Sequence, residues 1–225
     1  MAKVASKPAV PPPHAQWADT TEQQILDAAL KIAPHEGWTS RLAAMAGAAC
    51  GLSAGETELL LPQGPSDLAA LLSRRHDAVT IMALAEVDPA KMKIRERIAR
   101  AVEARLNAAV ADEAAVRRWT GFLALPTHAP LGARLAWESA DTLWRWAGDT
   151  TTDENHYTKR ALLAGILTGA LAIRLSSGPE AALAFTDRRI ANVMAFETWK
   201  RTTKFKPSEI MNSVASALGR MRYGS

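Results

Sequence analysis

Apolar residues return every three or four positions through most of this chain, the period of an amphipathic helix. Ile25, Ala28, Ala29 and Ile32 form the first stripe, with Thr20 or Thr21 as N-cap and Pro34 and Gly37 as its end. Short helices are predicted over about 41–49 and 54–61, the second capped by Ser53 and stopped by Pro62 and Gly64. Longer ones follow over about 66–87, 93–110, 113–125, 131–147, 153–176, 179–203 and 207–221. In the fifth, Ile94, Ile98, Val102, Leu106 and Val110 recur every four residues on one face. No alternating Val/Ile/Thr run reads as a strand. Ten helices with short links predict an all-α fold. Residues 1–18, with Pro8, Pro11, Pro12 and Pro13, read as a disordered or polyproline leader.

Composition and charge narrow the function. The uncharged apolar stretch from Ala161 to Ile173 is thirteen residues. A bilayer span needs about 20, so a buried helix is expected there and an integral membrane protein is excluded. One cysteine, Cys50, excludes an intramolecular disulfide and a cysteine zinc site. The start Met-Ala-Lys-Val-Ala-Ser-Lys has neither a secretory h-region nor an Arg-rich transit pattern, so a cytoplasmic location is expected. Net charge is +4, yet residues 199–225 carry +5, which leaves −1 for the rest. An end segment this basic points to an anionic surface, such as lipid headgroups or an acidic partner, or to a solvated tail.

No catalytic constellation emerges. A di-iron carboxylate site needs two Glu-x-x-His pairs. None of His14, His35, His76, His128 and His156 has a Glu three residues before it. There is no phosphate loop, dinucleotide glycine pattern or Gly-x-Ser-x-Gly elbow. Catalytic residues, metal and cofactor are therefore expected to be none.

The front end has a helix, a short helix, the turn Gly51-Leu52-Ser53, and another short helix. This layout resembles the amino-terminal helix-turn-helix module of tetracycline-repressor-like regulators, here over residues 19–64. The resemblance continues through Leu61-Pro62-Gln63-Gly64 and Asp67-Leu68. Duplex binding needs cations near phosphates, but the would-be reading helix offers Glu56 and Glu58 and no Lys or Arg. No nucleic acid partner is expected, although a ligand-responsive transcription regulator is the alternative function. Leu42, Leu52, Leu59 and Leu60 then read as core.

Residues 144–160 read Trp-Arg-Trp-Ala-Gly-Asp-Thr-Thr-Thr-Asp-Glu-Asn-His-Tyr-Thr-Lys-Arg. This resembles the signature of the coenzyme Q (ubiquinone) biosynthesis accessory lipid-binding family. Gly148, Asp149, Thr152, Asp153, Asn155, Tyr157, Thr158 and Arg160 match, while His156 stands where Trp is usual and Thr151 where Ser is usual. Segments 92–98, 124–126, 185–190 and 193–194 extend the likeness. The resemblance implies a tetracycline-repressor-like fold with a helical lipid-binding body over 65–203. It implies an isoprenoid or phospholipid ligand, a homodimer, and a peripheral place on the inner membrane. It also implies a partner, the di-iron demethoxyubiquinone hydroxylase, on Leu143, Trp146, Asp153, His156 and Tyr157. The His156 change removes a large apolar anchor of the kind interfaces draw on.

Two helices suit such a role on residue pattern. In the eighth, Gly165 and Gly169 either let another helix approach or leave room for a ligand; Leu163, Ile166, Leu167 and Ala170 are the candidate lining. In the tenth, over 204–225, Ile210, Met211, Val214, Leu218 and Met221 fall within an arc of about 100°. With Lys204, Lys206, Arg220 and Arg222, that helix fits either a membrane interface or docking on protein.

Overall fold

The computed structural model describes residues 13–149 and 154–202. Among them the chain forms nine α-helices and no strand, so the all-α expectation holds. In order these are α1 (Pro13–Glu36), α2 (Ser40–Ala49), α3 (Ala54–Leu60), α4 (Pro65–Ala83) and α5 (Ile94–Val110). Then come α6 (Glu113–Leu123), α7 (Ala129–Trp146), α8 (Glu154–Ser177) and α9 (Pro179–Thr202). A 3₁₀ turn, Pro89–Lys91, precedes α5. Compactness divides the chain into residues 1–186 and 187–225; the described part of the second is the helical stretch 187–202. The tenth helix, with Lys204, Lys206, Ile210, Met211, Val214, Leu218 and Met221, lies outside the described residues, as does the segment 150–153.

Local chemistry accounts for the element ends. Ser53 and Glu56 form a reciprocal capping box at the start of α3: Glu56 N–H donates to Ser53 Oγ, and Ser53 N–H donates to Glu56 Oε2 at 2.8 Å. Helix α1 departs from expectation at its start and at Pro34. It begins at Pro13, within the expected leader, and Thr21 is not a cap. The Thr21 hydroxyl donates to the Trp17 carbonyl at 2.8 Å, one turn back, which satisfies it inside a continuing helix. The helix also passes through Pro34 and stops at Gly37, whose φ of 74° needs glycine.

The core of the first unit joins α1, α2, α4, α6 and α7. Ile25, Leu26, Ala29 and Ala33 of α1 are fully buried, while the expected Ala28 and Ile32 are only partly so. On α5, Ile98, Val102 and Leu106 are buried but Ile94 is exposed. Leu42 is core as expected, whereas Leu59 is 77% exposed. The reason is that α3 docks through Thr57, two residues and so about 200° away around the helix. A Cβ on Gly47 of α2 would lie 2.1 Å from Thr57 Oγ1, so Gly47 permits that contact.

Helix α8 resolves the two readings of its glycines. A Cβ at Gly169 would meet the Phe185 ring at 2.8 Å, so Gly169 serves close packing. Nothing lies within 4 Å of one at Gly165. The span His156–Ser177 is long and apolar enough, by length and composition, to cross a membrane. That corrects the exclusion drawn from the thirteen-residue run, because a span tolerates a few charges at its ends. Yet Leu163, Ile166, Leu167, Ala170 and Leu175 are buried against protein, and Arg160 is buried in ion pairs. In this fold one face of α8 packs on protein, while Leu162 on another is 41% exposed.

Candidate functional site

Helix α7 carries Ala129, Gly132, Ala133 and Ala136 at helical spacing on one face. Side chains this small cannot fill the space beside α6 and α8. The result is a cavity of about 820 Å³ within the first unit. That volume lies within the range of about 300–1,000 Å³ typical of small-molecule sites. Trp119 and Leu123 of α6, and Leu167, Leu171 and Leu175 of α8, supply large apolar walls. Trp119 is fixed by its indole N–H, which donates to the Ala69 carbonyl at 3.1 Å.

Buried polar groups enter the cavity from α4, α5 and α7, and more exposed ones from α6 and α8. The lining includes Ser73, Arg105 and Ser139. Arg105 Nε donates to Asp77 Oδ1 at 2.7 Å, and the Ser139 hydroxyl donates to Asp77 Oδ2 at 3.0 Å. Next to Asp77 in sequence, His76 is 2% exposed, and neither ring nitrogen has a hydrogen-bond partner. Burial, then the nearby Arg105 and Arg75 cations, push its pKa down to about 3. Asp112 Oδ2, 3.9 Å from Nε2, is too far to hydrogen-bond. The ring stands edge-on to Trp119.

Of the expected lining, only Leu167 faces the cavity. Leu163, Ile166 and Ala170 are buried at 2%, 8% and 0% exposure but do not line it. The cavity takes the C-terminal half of α8, in the register Leu167, Thr168, Leu171, Ala172 and Leu175. The small-residue face of α7 is the mark the cavity leaves in the sequence, and close packing would leave the same one.

The turn from α7 to α8 holds the recognised signature. Gly148 has φ of 88°, and a Cβ there would meet Arg97 Nη1 at 3.4 Å. That same Nη1 donates to the Ala147 carbonyl at 2.7 Å. Arg160 is 1% exposed, and it donates through Nε to Asp141 Oδ1 at 2.5 Å and through Nη1 to Asp149 Oδ2 at 3.2 Å. Lys159 reaches Asp149 at 3.0 Å and Arg145 reaches Asp141 at 2.7 Å. Asp141, Asp149 and Arg160 thus form an ion-paired clasp between the two helices, next to the Gly148 turn.

The expected partner residues separate. Leu143 is fully buried, so it is core in this chain and offers no surface. Trp146 and His156 are half-buried, and Tyr157 is 65% exposed. Tyr157 stacks on Trp137, with centroids 6.0 Å apart, and His156 meets Tyr157 edge-on at 5.3 Å. Asp153 lies outside the described residues. Trp137 therefore joins an aromatic group around the exposed Tyr157. Trp144 does pack: its Nε1 donates to the Lys159 carbonyl at 3.1 Å.

Neither metal nor nucleophile chemistry gathers at these places. Among the described residues, no group of three His, Cys, Asp or Glu side chains converges as a metal would require. The Cys50 thiol has its pKa raised, first by burial and then by Asp27, which is the opposite of activation.

Comparison with known proteins bears on the same region. The COQ9 family model matches residues 129–197, which spans α7, the clasp, α8 and most of α9. "Ubiquinone biosynthesis protein COQ9, mitochondrial" of Xenopus tropicalis is 33% identical over 194 residues, covering 79% of this chain and 59% of the relative. The protein of that name in Bos taurus is 30% identical over 182 residues, covering 77% and 57%. COQ9-B of Xenopus laevis is 31% identical over 190 residues, covering 77% and 62%. The chain thus spans about three-fifths of the length of the curated relatives it matches. With the signature built as a clasp and the likeness running through most of the helical body, this chain is similar to the COQ9 family.

Proposed function

We propose that this protein is a non-enzymatic, lipid-binding accessory protein of ubiquinone biosynthesis. It takes a hydrophobic quinone precursor from a membrane into the α5–α8 cavity and presents it to the di-iron demethoxyubiquinone hydroxylase. The cavity itself carries this reading: about 820 Å³, lined largely by alanine and leucine, beside the matched segment. Its relatives are named as ubiquinone biosynthesis proteins and as mitochondrial, which supports the pathway and a peripheral place on the membrane where that synthesis runs. The ligand is an isoprenoid or a phospholipid, and the functional unit is a homodimer of tetracycline-repressor-like subunits.

The remaining assignments follow the same reading. The exposed Tyr157 with Trp137, His156 and Trp146 is the hydroxylase-facing surface. The basic segment 204–225 rests on anionic lipid, where each Lys or Arg contributes about 1 kcal/mol. The regulator reading gains nothing, because the exposed Glu56 and Glu58 of α3 would face phosphates with like charge.

Native mass spectrometry of the purified full chain tests the proposal. The expected spectrum carries an added mass that fragments to an isoprenoid, a quinone or a phospholipid. A spectrum of the bare chain only, after gentle isolation from membranes, would refute it.

A further inference from the structure

Three polar side chains of the cavity lining are buried: Ser73, Arg105 and Ser139 are 2%, 6% and 3% exposed, whereas Arg117 and Thr120 of α6 and Thr168 and Ser176 of α8 sit at exposed or half-exposed positions. Both Asp77 oxygens are engaged, one by Arg105 Nε and one by Ser139. Arg105 Nη1 and Nη2 make no hydrogen bond to any described residue. Among buried side-chain nitrogens and oxygens of the described residues, only those of His76 lack both a partner and accessible surface. The Arg105 terminal nitrogens therefore keep accessible surface, in a residue that lines the cavity. They are a forked set of donors without a protein acceptor, whereas the other lining cation, Arg117, donates to Glu113 and to the Leu175 carbonyl.

The charge balance selects the acceptor. Arg105 and Asp77 already neutralise each other. An anionic head would leave one uncompensated negative charge in a buried place, which is costly. A neutral oxygen would accept from the fork and leave the balance intact. We propose that the buried end of the cavity seats a neutral, oxygen-bearing head, a ring carbonyl or phenol accepting from Arg105 Nη1 or Nη2, with the apolar tail along Leu171 and Leu175. This rests on the cavity being a lipid site, and it adds the orientation, head inward, and the residue that sets head-group preference. Arg105 is then a specificity residue, and Asp77 and Ser139 position it.

Three probes with one tail test this on the full chain: hexylbenzoquinone, hexylbenzene and 4-hexylbenzoate, each displacing a fluorescent apolar dye. Hydrogen bonds from a charged donor predict that the quinone binds about tenfold more tightly than hexylbenzene. The benzoate is expected to bind no better than hexylbenzene. In Arg105→Lys, which keeps the charge beside Asp77 but loses the fork, the quinone advantage should fall to within about twofold. Hexylbenzene affinity should stay unchanged. Equal quinone and hexylbenzene affinity in the wild type, a preferred benzoate, or an advantage that survives Arg105→Lys overturns the head anchor while leaving the cavity reading intact. Failure of all three probes to bind overturns the cavity reading itself. Guanidinium ¹⁵N spectra of the wild-type chain decide the point even if the variant does not fold. One buried arginine should shift with the quinone and not with hexylbenzene, and no shift with either overturns the proposal.

Discussion

Replacing Arg160 with methionine should destabilise the protein by about 3 kcal/mol, the lower end of what breaking a buried ion pair costs. Arg160 is 1% exposed and serves two carboxylates, Asp141 and Asp149. Methionine fills much of the same volume, so the loss reports the charges and not a hole. The lower end is expected because Lys159 still pairs with Asp149 and Arg145 with Asp141. Arg160→Lys should recover part of the loss, since it restores charge without the planar fork that meets both partners. Urea unfolding of the three proteins measures this. A loss under about 1 kcal/mol, the range of exposed pairs, would mean that the clasp does not hold α7 to α8.

The second large effect is acid sensitivity from His76. Its pKa is 6.5 in an ordinary setting and is pushed down to about 3 in the fold. Above pH 6.5 the ring is neutral both folded and unfolded, and stability does not depend on it. As pH falls below 6.5 the unfolded chain takes up a proton that the folded chain refuses. Stability then declines by about 1.4 kcal/mol per pH unit until near pH 3. Between pH 6.5 and 4.5 the loss is about 2–3 kcal/mol. His76→Phe keeps a ring against Trp119 and removes two nitrogens that have no hydrogen-bond partner. The variant should equal or exceed the wild type in stability at pH 7 and lack this slope. Parallel stability–pH curves for the two proteins would contradict the assignment.

Local signals carried the helices and long-range ones carried the site. The Ser53–Glu56 box and the α5 stripe through Ile98, Val102 and Leu106 were legible, because their physics acts within a turn or two. The start of α1 was not, because a run of prolines and a threonine read as leader and cap. In the fold that threonine bonds back to Trp17. Leu59 read as core because a helix of seven residues is too short to show which face docks. The cavity escaped for a related reason. A stripe such as Ala129, Gly132, Ala133 and Ala136 signals close packing and empty space alike, and the neighbours decide. Buried pairs such as Asp77 with Arg105, 28 residues apart, leave no mark on periodicity at all. The signature at 148–160 was the exception: its residues were recognisable as a pattern, and the fold pairs Asp149 with Arg160 and sets Gly148 against Arg97.

Everything functional turns on what occupies the α5–α8 cavity. A photoactivatable isoprenyl probe, flashed onto the full chain and mapped by peptide mass spectrometry, addresses that directly. The account predicts adducts confined to peptides that carry the lining, around Trp119–Leu123 of α6, Ala129–Ala136 of α7 and Leu167–Leu175 of α8, and competed away by unlabelled lipid. Labelling scattered over the exterior, or unaffected by competitor, would contradict it.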